Sequence, residues 1–257
     1  MKAFRNILLD FISALENASS IEECFDSFEK AVENLGFAGV VYTSIPVRLT
    51  PLLTDSGPIF LRSQGYNPDY LEHYQYEGFS SKDFTIKRIL NSDLRVMDWW
   101  REERNGALSR SEIEVIQVAR EDYGMTNGVS IPTLSANDQI AGASIISDED
   151  DFSFQTLLEE RLEALQSITH LFHNRIYSDK EFHGKFYAPL IDRLTTKEIL
   201  VLRYIAKGLP MKSIDQYYDI RPSYANNVRS KIYRKLNVKN INQLNYVLGI
   251  YRILDII

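Results

Sequence analysis

Apolar positions recur at helical spacing near both ends of the chain and alternate with polar ones in its middle. The first 35 residues predict two amphipathic helices, over about 2–17 and 20–35. The segments AGVVYTSIPV and PIFLRS predict strands, and GVSIPTL with IAGASIIS predicts a hairpin around the polar turn SANDQ. FQTLLEERLEALQSITHLFHNRIY predicts a long amphipathic helix. Helices on both sides of a set of strands predict an α+β chain whose N-terminal part is an α/β/α sandwich with an antiparallel sheet.

The C-terminal pattern is helical throughout. In LTTKEILVLRYIAKG, Thr195 is a predicted N-cap with Glu198 three residues later, and Gly208 is a stop signal. A short helix follows Pro210, and Pro222 lies in the first turn of a third helix, where its missing N–H costs nothing. A fourth helix covers about Ile241–Leu254. Four short helices of this kind predict an all-α helix-turn-helix domain.

Charge divides the chain in the same place. Residues 191–257 carry 12 Lys and Arg against 5 Asp and Glu, whereas residues 1–190 carry 17 against 30, so the local net charges are +7 and −13. A basic C-terminal third in an acidic protein favours a polyanionic partner, here double-stranded DNA. The predicted organisation is a signal-binding and dimerisation domain at 1–177, a linker at 178–192 and a helix-turn-helix domain at 193–257.

The remaining composition excludes several classes. The sequence contains no run of about 18 apolar residues, so no membrane span is predicted. The N-terminal helix is too polar for a signal peptide. The single cysteine, Cys24, excludes an internal disulfide and fits a reducing cytoplasm, as a buried structural thiol. His170 and His173 have no third ligand at useful spacing, so no metal site is expected. No nucleophile pattern or phosphate loop supports an enzyme.

The third C-terminal helix has one apolar face and one polar, basic face. A helix of this size fits the major groove, where amide and basic side chains read base edges. The candidates for base contacts are Asn226, Asn227 and Ser230, and Lys231 and Arg234 are candidates for contacts to guanine or to phosphate. Lys212, Arg221 and Arg229 are better placed for phosphates, which fix register without reading sequence.

These C-terminal residues resemble the helix-turn-helix of LuxR-type transcription regulators. The landmarks are Leu194-Thr195, Glu198, Leu202, Gly208, Ile214, Ile220, Lys235-Leu236 and Val238. The chain departs from the family at Tyr224-Ala225, where a Thr-Val pair is usual, and at Val228, where a histidine is common.

The segment YLEHYQYEGFSSKDF resembles the signal pocket of the same family, with Tyr70, Tyr74 and Asp83 at spacings of four and nine. The resemblance implies an acyl-homoserine lactone or a related ligand, with Asp83 accepting from its amide N–H and Tyr74 donating to its acyl carbonyl. It implies that Trp99, or alternatively Trp100, packs on the lactone ring. Gly128 then lies beside the pocket, and Ser144 meets an acyl oxygen. The family has a tryptophan where this chain has Tyr70 and a proline where it has Phe84.

Alternatives stay open for several of these residues. The tyrosines also fit ordinary core packing, and Asp83 fits a helix N-terminal acid stabilised by the helix dipole. The leading hypothesis is a ligand-responsive regulator that dimerises, with Phe154–Ile176 either as the dimer face or as a cover for the sheet, and RNA polymerase is a possible further partner. A ligand-independent regulator, its pocket filled by its own side chains, is the main alternative. A response regulator would need an acidic pair after its first strand, which VVYTSIPVRL lacks.

Overall fold

The computed structural model describes residues 2–47, 58–136 and 139–255, which divide into two compact units. The first contains 2–44 with 59–178, and the second contains 179–255 with 45–47 and 58. Most of the predicted loop RLTPLLTDSGPIF and the centre of the turn SANDQ lie outside the described residues. The helices of the first unit are α1 (Lys2–Asn17), α2 (Ile21–Asn34), α3 (Pro68–Tyr76), α4 (Phe84–Leu90), α5 (Trp99–Arg104), α6 (Arg110–Tyr123) and α7 (Asp151–Ser178). Its strands are β1 (Gly39–Pro46), β2 (Phe60–Arg62), β3 (Met97–Asp98), β4 (Asn127–Ala136) and β5 (Gln139–Ser147).

The strands form one five-stranded sheet in the order β2-β1-β5-β4-β3. The pairings β1–β2, β3–β4 and β4–β5 are antiparallel. The β4–β5 hairpin pairs Ser130 with Ser144 and slips register between Pro132 and Leu134. Because successive side chains of a strand point to opposite faces, this register decides which residues of neighbouring strands share a face.

One face of the sheet is covered by α7, which in turn packs on α1 and α2. Tyr42 of β1 meets Phe172 of α7 edge-on at 5.0 Å, and Phe172 stacks on Phe28 of α2 at 4.5 Å, all three side chains being fully buried. Cys24 is buried in the same layer, which confirms the structural thiol. The alternative in which the long helix covers the sheet is therefore what the structure contains.

The opposite face of the sheet is covered by the short helices, with α4 and α5 both against β4. The α/β/α sandwich predicted from the pattern of strands and helices is confirmed. The sequence did not predict α5, a six-residue helix that begins at the tryptophan pair and is capped by the Asp98 side chain, which accepts from the Arg101 N–H at 3.1 Å.

The second unit is helical. It contains α8 (Lys180–Lys185), α9 (Ala188–Ile191), α10 (Thr196–Ala206), a 3₁₀ helix at Met211–Gln216, α11 (Pro222–Lys235), α12 (Ile241–Ile250) and a 3₁₀ helix at Ile253–Asp255. The four predicted helices correspond to α10, the first 3₁₀ helix, α11 and α12. The segment 178–192, treated as a linker above, holds α8 and α9 with buried Phe182, Phe186, Tyr187 and Leu190, because aromatic side chains at helical spacing find an apolar surface within this unit.

Candidate functional site: a small cavity and a basic helix

A cavity lies between the sheet and the short helices of the first unit. Strand alternation turns Val41, Thr43, Gly142 and Ser144 toward it, whereas Tyr42 points to the α7 side. The helical side of the lining comes from α3, α4, α5 and α6 and from the residues beside them. The complete lining is Val41, Thr43, Phe60, Tyr66, Tyr70, Leu71, Tyr74, Asp83, Thr85, Ile86, Trp99, Val115, Ile116, Gly142 and Ser144.

Tyr74 and Asp83 are joined at one end of this cavity. The Tyr74 hydroxyl donates to Asp83 Oδ2 at 2.8 Å. The other carboxylate oxygen accepts from the Thr85 backbone N–H and from the Thr85 hydroxyl, both at 2.7 Å, so that Asp83 also caps α4. The two interpretations of Asp83 are therefore compatible: the helix cap holds the carboxylate still while its second oxygen faces the cavity.

A second polar group lies on the sheet side. The Trp99 indole N–H donates to the Ser130 hydroxyl at 2.9 Å, and the Ser130 and Ser144 hydroxyls lie 2.9 Å apart. The Ser130 hydroxyl accepts from Trp99 and still has its own proton, so it can donate to the hydroxyl of Ser144, which lines the cavity. Ser130 was not predicted from sequence, because only the β4–β5 register places it between the other two side chains.

Gly128 lies behind Trp99 and does not line the cavity. A Cβ atom at Gly128 would be 2.5 Å from two carbon atoms of the Trp99 ring. Real carbon–carbon contacts lie at about 3.5–4.0 Å, so only glycine lets the indole lie flat on the strand. Gly128 thus fixes the position of Trp99, which forms part of the cavity wall.

The tryptophan pair divides between two surroundings. Trp99 lines the cavity, whereas Trp100 donates its indole N–H to the Thr126 carbonyl at 3.0 Å and lies under the Arg120 guanidinium at 4.3 Å. Of the two alternatives left open by the sequence, the structure brings Trp99 to the site. Phe84 is 2 % exposed but is not among the lining residues.

The tyrosines of the cavity remain protonated over the physiological range. Burial, followed by the charge of Asp83, raises the pKa of Tyr74 well above its usual value. Burial, followed by the charges of Tyr66 and Asp83, does the same for the pKa of Tyr70. Tyr66, which the sequence did not single out, has its pKa raised by burial and then by Asp83. The ring centres of Tyr66 and Tyr70 are 6.3 Å apart and those of Tyr70 and Tyr74 are 5.9 Å apart, so all three phenols lie at the same end of the cavity.

The cavity has a volume of about 70 Å³. A more open depression of about 350 Å³ lies between α1 and α2, lined by Ile7, Asp10, Phe11, Ala14, Ser27, Lys30, Ala31 and Asn34. Binding sites for small molecules are concave and apolar, with a few converging polar groups. The smaller cavity has that arrangement, because a capped carboxylate, three phenols and the Ser144 hydroxyl line it together with apolar side chains.

In the second unit, α10 is fixed to α11 by one buried carboxylate. Glu198 closes a capping box with Thr195 and accepts from Lys235 Nζ at 2.7 Å, with its own side chain 5 % exposed. Burial by itself would raise the pKa of Glu198, but the hydrogen bonds from Lys235 and Thr195 outweigh burial and lower it. The cap found in the sequence therefore also connects the two helices.

The apolar face of α11 is buried as predicted, with Ala225, Val228, Ile232 and Leu236 each no more than 2 % exposed. Its polar face is open. Exposed side chains on and beside it are those of Lys212, Arg221, Asn226, Asn227, Ser230, Lys231 and Arg234.

Some of these candidates already have partners within the helix. The Asn226 amide donates to the Pro222 carbonyl at 3.0 Å, and the Ser230 hydroxyl donates to the Asn226 carbonyl at 3.1 Å. Arg229 is half-buried and lies over the Tyr233 ring at 5.9 Å. An exposed aromatic that the candidate list lacks is Tyr224, 43 % exposed in the first turn of α11 with Lys197 Nζ 5.6 Å from its ring centre.

The described part of the chain holds neither a metal-binding cluster nor a membrane-spanning helix. Within 2–47, 58–136 and 139–255, no group of three or more His, Cys, Asp or Glu side chains is arranged to hold a metal ion. His173 is buried and its Nδ1 is 2.7 Å from the Tyr42 hydroxyl, whereas His170 is exposed. None of the described helices combines the length and the apolar character needed to cross a membrane.

The fold and the two sites together define a bacterial regulator with a ligand-binding unit and a helix-turn-helix unit. Comparison with known families agrees. Residues 20–176 match the autoinducer binding domain, and residues 192–248 match the bacterial regulatory proteins of the luxR family. The chain therefore belongs to the LuxR family of autoinducer-binding, DNA-binding transcription regulators, which are not enzymes and bind signal ligands rather than cofactors.

Solved structures show the same fold. The crystal structure of Escherichia coli SdiA is 16 % identical, with a TM-score of 0.53 and coverage of 98 % of this chain and 97 % of that one. CepR2 from Burkholderia cenocepacia, described as an N-acylhomoserine lactone dependent LuxR family transcription factor, is 21 % identical, with a TM-score of 0.51 and coverage of 68 % and 99 %. No curated protein matches the chain by sequence.

Proposed function

We propose that this regulator senses an acyl-homoserine lactone or a related small molecule in the cavity of its first unit, and that ligand binding controls how the second unit binds DNA in the cytoplasm. The observation that carries the proposal is the Tyr74–Asp83 hydrogen bond at the polar end of an apolar cavity. An amide inserted between these side chains replaces one hydrogen bond with two, since its N–H donates to Asp83 and its carbonyl accepts from Tyr74.

The other proposed ligand contacts surround this pair. Trp99 offers a flat apolar surface for the head group, held in place by Gly128 and by its bond to Ser130. Ser144 can donate to an acyl oxygen from the sheet side. Tyr70 replaces the indole donor of the family with a phenol.

Ligand entry requires the cavity to widen. Its volume of about 70 Å³ compares with roughly 300–1,000 Å³ for typical small-molecule sites, so side chains of the lining have to move apart. The free energy of widening is recovered from ligand contacts, and a ligand that binds only the folded unit stabilises it by mass action. Ligand binding is thus expected to raise the unfolding temperature of the first unit.

The test compares two variants of the full chain in thermal unfolding with a panel of acyl-homoserine lactones. Asp83→Ala removes both the ligand acceptor and the cap of α4, and the loss of a cap costs about 1 kcal/mol by itself. Ser20→Ala removes the cap of α2, whose residues do not line the cavity, and is the matched control. We expect the lactone-induced shift to disappear in Asp83→Ala and to persist in Ser20→Ala. An equal shift in both variants would remove Asp83 from the site.

A ligand-independent regulator is the second candidate, supported by the small volume of the cavity and by the aromatic side chains that line it. It predicts that no lactone or cell extract shifts the unfolding temperature and that no small molecule is recovered from denatured protein. A recovered mass that tracks the protein and is lost in Asp83→Ala would exclude this candidate.

For DNA binding we propose the polar face of α11. Asn227, Lys231 and Arg234 are exposed and reach base edges, with Asn226 and Ser230 beside them at the cost of weak intrahelical bonds. Lys212, Arg221 and Arg229 contact phosphates. The proposed domains are 1–177 for signal binding and dimerisation and 193–257 for DNA binding, with 178–192 as the connection.

We also infer a homodimer that presents two α11 helices about 34–36 Å apart, one turn of DNA. The exposed side of α7, which carries Glu159, Glu163 and His170, is available for the partner protomer, and RNA polymerase is a further proposed partner of the DNA-bound form. Sedimentation with and without lactone tests the dimer, and a monomer on palindromic DNA would contradict it.

A further inference from the structure

Two buried phenols at the polar end of the cavity have no hydrogen-bond partner in the part of the chain that the structure describes. Tyr66 and Tyr70 are 3 % and 4 % exposed, line the cavity, and have ring centres 6.3 Å apart. Within the described residues, no hydrogen bond engages either hydroxyl, although Tyr74 next to them is bonded to Asp83. Buried polar groups are nearly always hydrogen-bonded, so these two hydroxyls are available to a ligand.

The chemistry of the two hydroxyls is that of neutral phenols. Burial and the neighbouring charge of Asp83 raise the pKa of both, so each keeps its proton. A neutral phenol donates one hydrogen bond and also accepts, whereas an indole N–H only donates. The two phenols therefore match a ligand group that donates a hydrogen bond as well as accepting one.

The other donors and acceptors nearby are largely in use. The Trp99 N–H is bonded to Ser130, and Asp83 accepts three hydrogen bonds, from Tyr74 and from the N–H and hydroxyl of Thr85. The lining also contains a group of apolar side chains, Val41, Leu71, Ile86, Val115 and Ile116. A ligand that matches both regions is amphipathic, with a compact head group that donates and accepts.

We propose that the signal carries a free hydroxyl on its head group, and that Tyr66 and Tyr70 select this hydroxylated head over a closed lactone ring. The inference rests on the proposed function, because it takes the cavity to be the signal site. A lactone ring offers only acceptors and leaves the acceptor side of both phenols unused. A site built around a hydroxyl discriminates strongly against analogues that lack it.

The experiment uses two probes with the same carbon skeleton, N-hexanoyl-homoserine lactone and N-hexanoyl-homoserinol, in which the lactone is reduced to a diol. Calorimetric titration of the full chain gives the ratio of their dissociation constants. We expect the diol to bind at least about tenfold more tightly. Tyr66→Phe and Tyr70→Phe should each reduce that preference about tenfold, since one hydrogen bond lost in a buried site has an effect of this order.

Two further variants make the result specific. Tyr76→Phe removes a phenol hydroxyl from α3, the helix that carries Tyr70. The Tyr76 side chain is 87 % exposed, so the preference for the diol should not change. Tyr70→Trp replaces the phenol with a donor-only indole and should shift the preference toward the lactone. Unfolding temperatures of the unliganded variants show whether each one folds.

The outcomes separate the inference from the proposed function. Tighter binding of the lactone by the wild-type chain, or a preference unchanged in both Tyr66→Phe and Tyr70→Phe, overturns the inference while leaving the cavity as the signal site. Binding of neither probe overturns both.

Discussion

Replacing Gly128 with alanine should displace Trp99 and deform the cavity. The added Cβ would lie 2.5 Å from the indole ring, about 1 Å inside normal contact distance, and Gly128 is buried in β4, where the backbone cannot easily yield. Overpacking of this kind costs about 1–3 kcal/mol. If the ring turns away from Ser130, the buried indole N–H loses its acceptor, which costs about 1–3 kcal/mol more.

The expected total is about 2–6 kcal/mol. For chains of 150–250 residues each kcal/mol shifts the unfolding temperature by roughly 2–4 °C, so a fall of about 4–24 °C is expected. Calorimetry on the full chain measures the fall, and tryptophan fluorescence in a Trp100→Phe background, where Trp99 is the single indole, reports the ring position. Gly249→Ala is the control: a Cβ there meets open space on α12, so it should be neutral or slightly stabilising.

A double-mutant cycle tests the cause. In a Trp99→Leu background the smaller side chain leaves room for the methyl group, so Gly128→Ala should cost much less than it does beside Trp99. An equal cost in both backgrounds would refute the argument, because the strain would then come from the strand itself.

Three further outcomes are expected. Lys231→Ala and Arg234→Ala should each weaken DNA binding. Each should also reduce the slope of the logarithm of the binding constant against the logarithm of the salt concentration by up to about one unit. An unchanged slope in both variants would exclude the polar face of α11 as the DNA-binding surface. Glu198→Gln should destabilise the second unit by roughly 1–3 kcal/mol in chemical unfolding, because Lys235 and the cap lose a charged acceptor, whereas an unaltered midpoint would contradict that. Burial, with the charge of Arg252, lowers the pKa of His183 from 6.5 to about 4, so folding favours the neutral imidazole. The contribution of His183 to stability is therefore fully present above pH 6.5. Stability should therefore fall between pH 6.5 and 4, and the fall should be smaller in His183→Phe; an identical pH profile would show that His183 has no part in it.

Local signals predicted the elements well. Thr195 and Glu198 close the predicted capping box, and Gly208 adopts positive φ at the predicted stop of its helix. These features depend on side chains within four residues of each other, so they can be found along the chain. The buried face of α11 was equally accessible, because a 3.6-residue period fixes which side chains share a face.

Long-range relations were less accessible. Tyr70, Tyr74 and Asp83 were found from their spacing, and the structure brings all three to one end of a cavity. Tyr66 has the same four-residue offset from Tyr70 but precedes the helix, and no local signal predicts that its ring turns inward. The segment 178–192 was treated as a linker, yet its aromatic side chains are buried against the second unit. That burial depends on a surface formed by residues far along the chain.

The sequence by itself determined the helical pattern of the C-terminal part, the capping box of α10, the buried face of α11 and the spacing of Tyr70, Tyr74 and Asp83, since periodicity and caps are properties of neighbouring residues. Only the tertiary structure decided that Trp99 rather than Trp100 faces the cavity, because consecutive helical residues differ by about 100° and packing sets the rotation. It also decided that Ser130 bridges Trp99 and Ser144, since this requires the cross-strand register of β4 and β5. Register and rotation arise from contacts between distant segments, and the small, phenol-rich cavity is their result.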